Sequence, residues 1–132
     1  MDLDQQTGLW PRAHIEAHRA LCKQEIADRG TWADKYAGRR SAQFLSGALA
    51  VYDWVLGDAP SPFSGPLEPT VKAVVAQENL AYKAIRGERG APEVVSQGWA
   101  VGVEQACIWL HGSCDEPPEG LLPDEEPRVE LY

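Results

Sequence analysis

The densest run of apolar positions lies between Ser41 and Gly57, SAQFLSGALAVYDWVLG. A second run of the same kind follows 55 residues later, from Ser96 to Gly112, SQGWAVGVEQACIWLHG. At that offset Ser41 meets Ser96, Gly47 meets Gly102, Trp54 meets Trp109 and Gly57 meets Gly112. Phe44 falls opposite Trp99 and Val55 opposite Leu110. Average residue usage gives about one identity in a window of this length. The pair therefore predicts two core helices related by duplication of a helical hairpin.

The turn residues divide the chain into four helices. Pro11 suits a first helical turn, where its missing N–H costs nothing, and Gly30 suits the residue past a helix end. They bound a helix over about 11–29. Thr31 to Asp34 reads as a capping box opening a second helix over 31–56, which Gly57 stops. Residues 57–67, GDAPSPFSGPL, hold too many turn formers for regular structure. Pro69 opens a third helix over 68–86, closed by Gly87, and Pro92 a fourth over 92–111, closed by Gly112. No segment sustains strand alternation. The expected fold is all-α, an antiparallel four-helix bundle over 11–112, between an N-terminal arm (1–10) and an acidic, Pro-rich C-terminal tail (113–132).

Composition narrows the class. A chain of 132 residues is one domain that can bury a core without staples. The N-terminus MDLDQQTG lacks the basic-then-apolar order of a secretory signal. The near-apolar run Phe44–Leu56 is too short for a membrane span and carries Asp53. Three cysteines make no disulfide framework, which points to a reducing, cytoplasmic compartment. The net charge of −8 sits at the ends. Asp115, Glu116, Glu119, Asp124, Glu125, Glu126 and Glu130 face a lone Arg128, whereas 11–112 is balanced. Arg39–Arg40 is the only basic pair, so nucleic acid is not an expected partner, and neither is a membrane.

Candidate chemistry lies on the helix faces. On the first helix the apolar stripe holds Trp10, Ile15, Leu21, Cys22 and Ile26, and His14, His18 and Cys22 stack along it at i, i+4, i+8, with Glu25 close by. On the third helix Glu78 sits at the centre of a face made by Val71, Val74, Val75, Ala81, Tyr82 and Ile85. A carboxylate there calls for an Arg or His partner from another helix. Cys107 and His111 lie one turn apart on the fourth helix. With the first and fourth helices adjacent, His14, His18, Cys22 and His111 could hold zinc, or iron or manganese with Glu25 or Glu78. No Cys-x-x-Cys or His-Glu-x-x-His reinforces that reading. Cys22 with His18 could form a thiolate–imidazole pair, but no oxyanion donor or phosphate loop accompanies it, so enzymatic activity is not the favoured reading.

Five tryptophans shift the expectation toward binding. Tyr36, Arg39, Arg40, Trp54 and Trp109 have the composition of a protein-binding hot spot. The fourth helix is apolar nearly all round, which calls for a central position or a second partner: another copy, a different protein, or the tail through Leu121, Leu122, Val129, Leu131 and Tyr132. Gly47 and Gly102 would let the second and fourth helices approach closely. The expectation is a cytoplasmic adaptor or inhibitor that binds a protein, without enzymatic activity or resident cofactor. The alternative is a zinc or iron/manganese bundle using the His/Cys/Glu stripe.

Overall fold

The structure, a computed structural model, describes residues 9–29, 42–94 and 96–112. Four helices pack together: α1 (Arg12–Arg29), α2 (Ala42–Val55), α3 (Val71–Arg86) and α4 (Gln97–Leu110). The described residues contain no strand, only an isolated bridge between Ser61 and Gly65. None of their helices is long and apolar enough to cross a membrane. The expected capping box at Thr31–Asp34, the stop at Gly30 and the tail lie outside the described residues.

Helix ends follow the glycines. Gly57, Gly87 and Gly112 all have positive φ, where a side chain would be strained. The starts of α3 and α4 follow side-chain caps rather than prolines. Thr70 accepts the Ala73 N–H at 3.1 Å, and Ser96 accepts the Trp99 N–H at 3.1 Å. The third and fourth helices thus open after Pro69 and Pro92, because a hydroxyl that satisfies an orphan N–H fixes the start where proline is merely tolerated.

Polar contacts set the helix directions. Arg12 Nη2 donates to the Leu56 carbonyl at 3.0 Å and the Cys22 thiol to the Leu45 carbonyl at 3.2 Å, so α1 runs antiparallel to α2. Glu78 meets His111 at 2.6 Å and Gln97 Nε2 donates to the Ala84 carbonyl at 3.2 Å, so α3 runs antiparallel to α4. The most extensive interface joins α2 to α4. A Cβ on Gly47 would lie 2.0 Å from the Trp99 carbonyl oxygen, and one on Gly102 1.9 Å from that of Phe44. Only glycine permits this approach.

The core is built on these contacts. Phe44, Leu45, Ala48, Val51, Tyr52, Trp54, Val55 and Leu56 of the α2 region are all buried, as are Ala100, Val103, Ala106, Cys107, Trp109 and Leu110 of α4. The core extends beyond the helices to Leu9, which is 3% exposed. On α3 the buried residues are Ala73, Val74, Gln77, Ala81 and Ala84, mostly small, which brings α3 close to α4. Tyr82, expected on the apolar face, is 44% exposed, with the Arg86 guanidinium 5.0 Å over its ring.

Candidate functional site

The loop between α2 and α3 is an ordered platform. The Ser61 N–H and hydroxyl both donate to the Gly65 carbonyl, at 2.9 and 2.8 Å, and the Ser61 hydroxyl accepts the Ser64 N–H at 2.9 Å. Gln77 of α3, fully buried, clamps the loop. Its Oε1 accepts the Phe63 N–H at 2.9 Å and its Nε2 donates to Ser64 Oγ at 2.8 Å. Phe63 is thereby held edge-on to Trp99, with centroids 5.6 Å apart. The Trp54 indole N–H donates to the Leu67 carbonyl at 2.7 Å, pinning the far side. Beside the Trp54–Leu67 anchor lies an open groove of about 680 Å³ with Trp54, Ala59, Pro60, Pro66, Leu67 and Pro69 among its walls. Leu67 is 40% exposed. At the rim Asp58 accepts a hydrogen bond from Arg19, which holds its carboxyl below the usual carboxylate range. Sequence reasoning did not find this groove, because the loop's internal hydrogen bonds, not its composition, create it.

The residues expected to bind a partner are placed differently. Trp54 is 2% exposed and Trp109 fully buried, so neither offers its indole to a partner in this conformation. A wheel drawn for α2 gives it one core face, whereas α2 packs against α1, α4 and the loop at once. Trp109 is covered by Trp10, stacked at 5.4 Å, and meets His18 at 4.7 Å and Tyr52 at 6.1 Å edge-on. Tyr36, Arg39 and Arg40 lie outside the described residues.

The His/Cys stripe is not gathered into one site. His18 is fully buried against Trp109, Cys22 points its thiol at the Leu45 carbonyl, and His14 is half-buried 5.9 Å from the Trp10 ring. Glu25 is half-buried on α1. His111 turns instead to Glu78 on α3, the His partner that a carboxylate in that position required. Among the described residues no three of His, Cys, Asp or Glu converge to hold a metal ion. The reason is topological: the last turn of α4 faces α3 on one side and presents Trp109, not His111, to α1.

Glu78, His111, Glu104 and Cys107 form the remaining titratable cluster. Burial raises the Glu104 carboxyl, and the charge of Glu78 raises it further. Burial, helped by the charges of Glu78 and Glu104, pushes the Cys107 thiol far above its ordinary range. A carboxylate–imidazole pair can orient a base, but the neighbouring thiol is held protonated and cannot serve as a nucleophile at neutral pH. The Glu78–His111 contact reads as a structural hydrogen bond closing the α3–α4 interface.

Trp54 and Trp109 end their helices alike. The Gly57 N–H donates to the Trp54 carbonyl at 3.0 Å, and the Gly112 N–H to the Trp109 carbonyl at 3.0 Å. They differ at the indole. The Trp54 N–H has the Leu67 carbonyl, while the buried Trp109 N–H has no acceptor among the described residues. A buried donor left so costs roughly 1–3 kcal/mol.

No protein-family model matches the chain, no curated protein matches it and no solved structure matches it. The functional reading therefore rests on the residues themselves.

Proposed function

We propose that the protein is a duplicated helical hairpin, arranged as a four-helix bundle, whose function is to bind another protein through the groove at the α2–α3 loop. The observation that carries this reading is the groove itself: an apolar trough beside a 40% exposed leucine, on a loop pinned at Trp54, Ser61 and Gln77. A pinned loop loses little entropy on binding, which favours recognition over a merely sticky surface. The trough is open rather than enclosed, which suits a peptide segment better than a buried small molecule. Its chemistry fits an aliphatic side chain flanked by Lys or Arg, since Glu68 lies exposed on the same loop, beside Asp58, which lines the groove and is already paired with Arg19. The duplication is supported by the reciprocal glycine contacts, Gly47 against Trp99 and Gly102 against Phe44, which repeat at an offset of 55 residues.

The test is selection from a library of short random peptides displayed on phage. The enriched peptides should share an aliphatic residue next to a basic one. Leu67→Asp should weaken their binding at least tenfold without altering the helical circular-dichroism signal or Tm. Enriched peptides that bind wild type and Leu67→Asp equally, or no enrichment, would remove the groove as the binding site.

A further inference from the structure

The rim of the groove carries a contact that its apolar walls do not explain. Helix α2 ends in a double turn-back. The Gly57 N–H donates to the Trp54 carbonyl at 3.0 Å and the Asp58 N–H to the Asp53 carbonyl at 2.8 Å, with Gly57 at φ +90. Two acids are thereby set at the carbonyl end of a helix, where negative charge is least favoured. Both reach a single atom of α1: Arg19 Nη1 donates to Asp58 Oδ2 and, at 3.2 Å, to Asp53 Oδ1. Arg12, the other arginine of α1 at this end, is engaged with the Leu56 carbonyl at 3.0 Å and Glu16 at 3.4 Å. Arg12 and Lys23 act on Asp58 only through space.

The two carboxylates differ in access. The Asp58 side chain is 59% exposed and lines the groove, whereas that of Asp53 is 28% exposed and is not one of its walls. Arg19 thus puts a guanidinium on the acid that a basic side chain in the groove would seek. It also has a second acceptor that such a side chain would not contact.

We propose that Arg19 regulates the groove: it holds Asp58 until a partner's Lys or Arg side chain takes its place, and it then keeps Asp53. The inference rests on the peptide-binding reading of the groove and names the control of that same site. The exchange strands no charge. Before it one guanidinium serves two acids, and after it two cations serve two acids. An exposed ion pair is weak enough to exchange in this way. A partner without a basic residue leaves the Arg19–Asp58 pair closed, so the exchange selects between partners rather than merely adding affinity. Asp53 is then a positioning residue, acting on the groove through Arg19.

The experiment is a nitrogen-15 magnetic resonance titration of the full chain with two acetylated, amidated tetrapeptides, Ala-Leu-Arg-Ala and Ala-Leu-Ala-Ala. The Trp54 indole signal reports occupancy of the groove. Wild type should prefer the arginine peptide about threefold at low salt. Asp53→Asn commits Arg19 to Asp58 and should bring the ratio close to one. Adding Arg19→Gln to Asp53→Asn should restore it, because no guanidinium then competes for Asp58. Glu16→Gln removes the same charge from α1 without touching Arg19 and should leave the ratio unchanged. A ratio that Asp53→Asn does not lower, or that Glu16→Gln lowers as far, overturns the exchange. So does equal binding of both peptides to wild type, although the groove would then stand. No Trp54 shift with either peptide removes the groove as a binding site, and the regulation of it as well.

Discussion

A Cβ at residue 102 would sit 1.9 Å from the Phe44 carbonyl oxygen, and one at residue 47 would sit 2.0 Å from that of Trp99. Backbone atoms of a helix cannot swing aside as a flexible side chain can. Alanine gains about 1 kcal/mol of helix propensity over glycine, but forcing a methyl into a packed contact costs about 1–3 kcal/mol and more where backbone must shift. The steric term wins because the obstructing atoms are main chain on both sides. Gly47→Ala and Gly102→Ala should each lower the unfolding free energy by about 2 kcal/mol or more, read from urea denaturation. The two losses should be alike, because each glycine faces the equivalent carbonyl of the other helix. If either variant proves more stable than wild type, α2 and α4 do not meet at these glycines.

At the scale of the element, Glu104 tests how α4 sits on α3. Burial disfavours its ionised form, and Glu78 adds repulsion. An acid whose value is raised by folding destabilises the fold once it ionises. The cost is absent below the unfolded value and complete above the folded one. Glu104→Gln should therefore raise Tm at about pH 7, and the gap should close near pH 3, followed by circular dichroism. A gap equal at both values would mean that packing, not charge, separates the variants. The same element shows what a sequence displays. The helix stops were legible because glycine at positive φ leaves a strong mark at Gly57, Gly87 and Gly112. The close approach at Gly47 and Gly102 and the pairing of Glu78 with a histidine were legible too, each from a cost that needed an answer. The starts were not, because proline at 69 and 92 only permits a helix while the Thr70 and Ser96 hydroxyls fix one. A helical wheel also assumes one buried face. It misplaced Trp54 and Trp109, which lie where several elements converge, and Tyr82, whose neighbours on α3 are the small residues that pack on α4. The groove left no trace in periodicity, being made by hydrogen bonds within a loop.

The whole molecule raises the question of whether its two hairpins unfold as one body. The chain carries a reporter in each: Cys22 on α1 and Cys107 on α4, both fully buried. The α1–α2 contact is less extensive than either contact made by α4, so a weak first hairpin would release α1 alone. Against that, α1 is not held by α2 only. Trp10 stacks on Trp109 and donates to its carbonyl, and His18 packs edge-on against the same indole. Freeing α1 would strip Trp109 of its cover and expose the end of the central α2–α4 interface. Those ties make local release nearly as costly as global unfolding. In the native state neither thiol is poised to react, since Cys22 donates to a carbonyl and burial pushes the Cys107 thiol up. Alkylation should then proceed only through opening. In urea below the midpoint, Cys22 and Cys107 should be labelled at a common rate, resolved by peptide mapping. A Cys22 rate tenfold or more above that of Cys107 would show that α1 opens by itself, and that the aromatic contacts to Trp109 are too weak to join the halves.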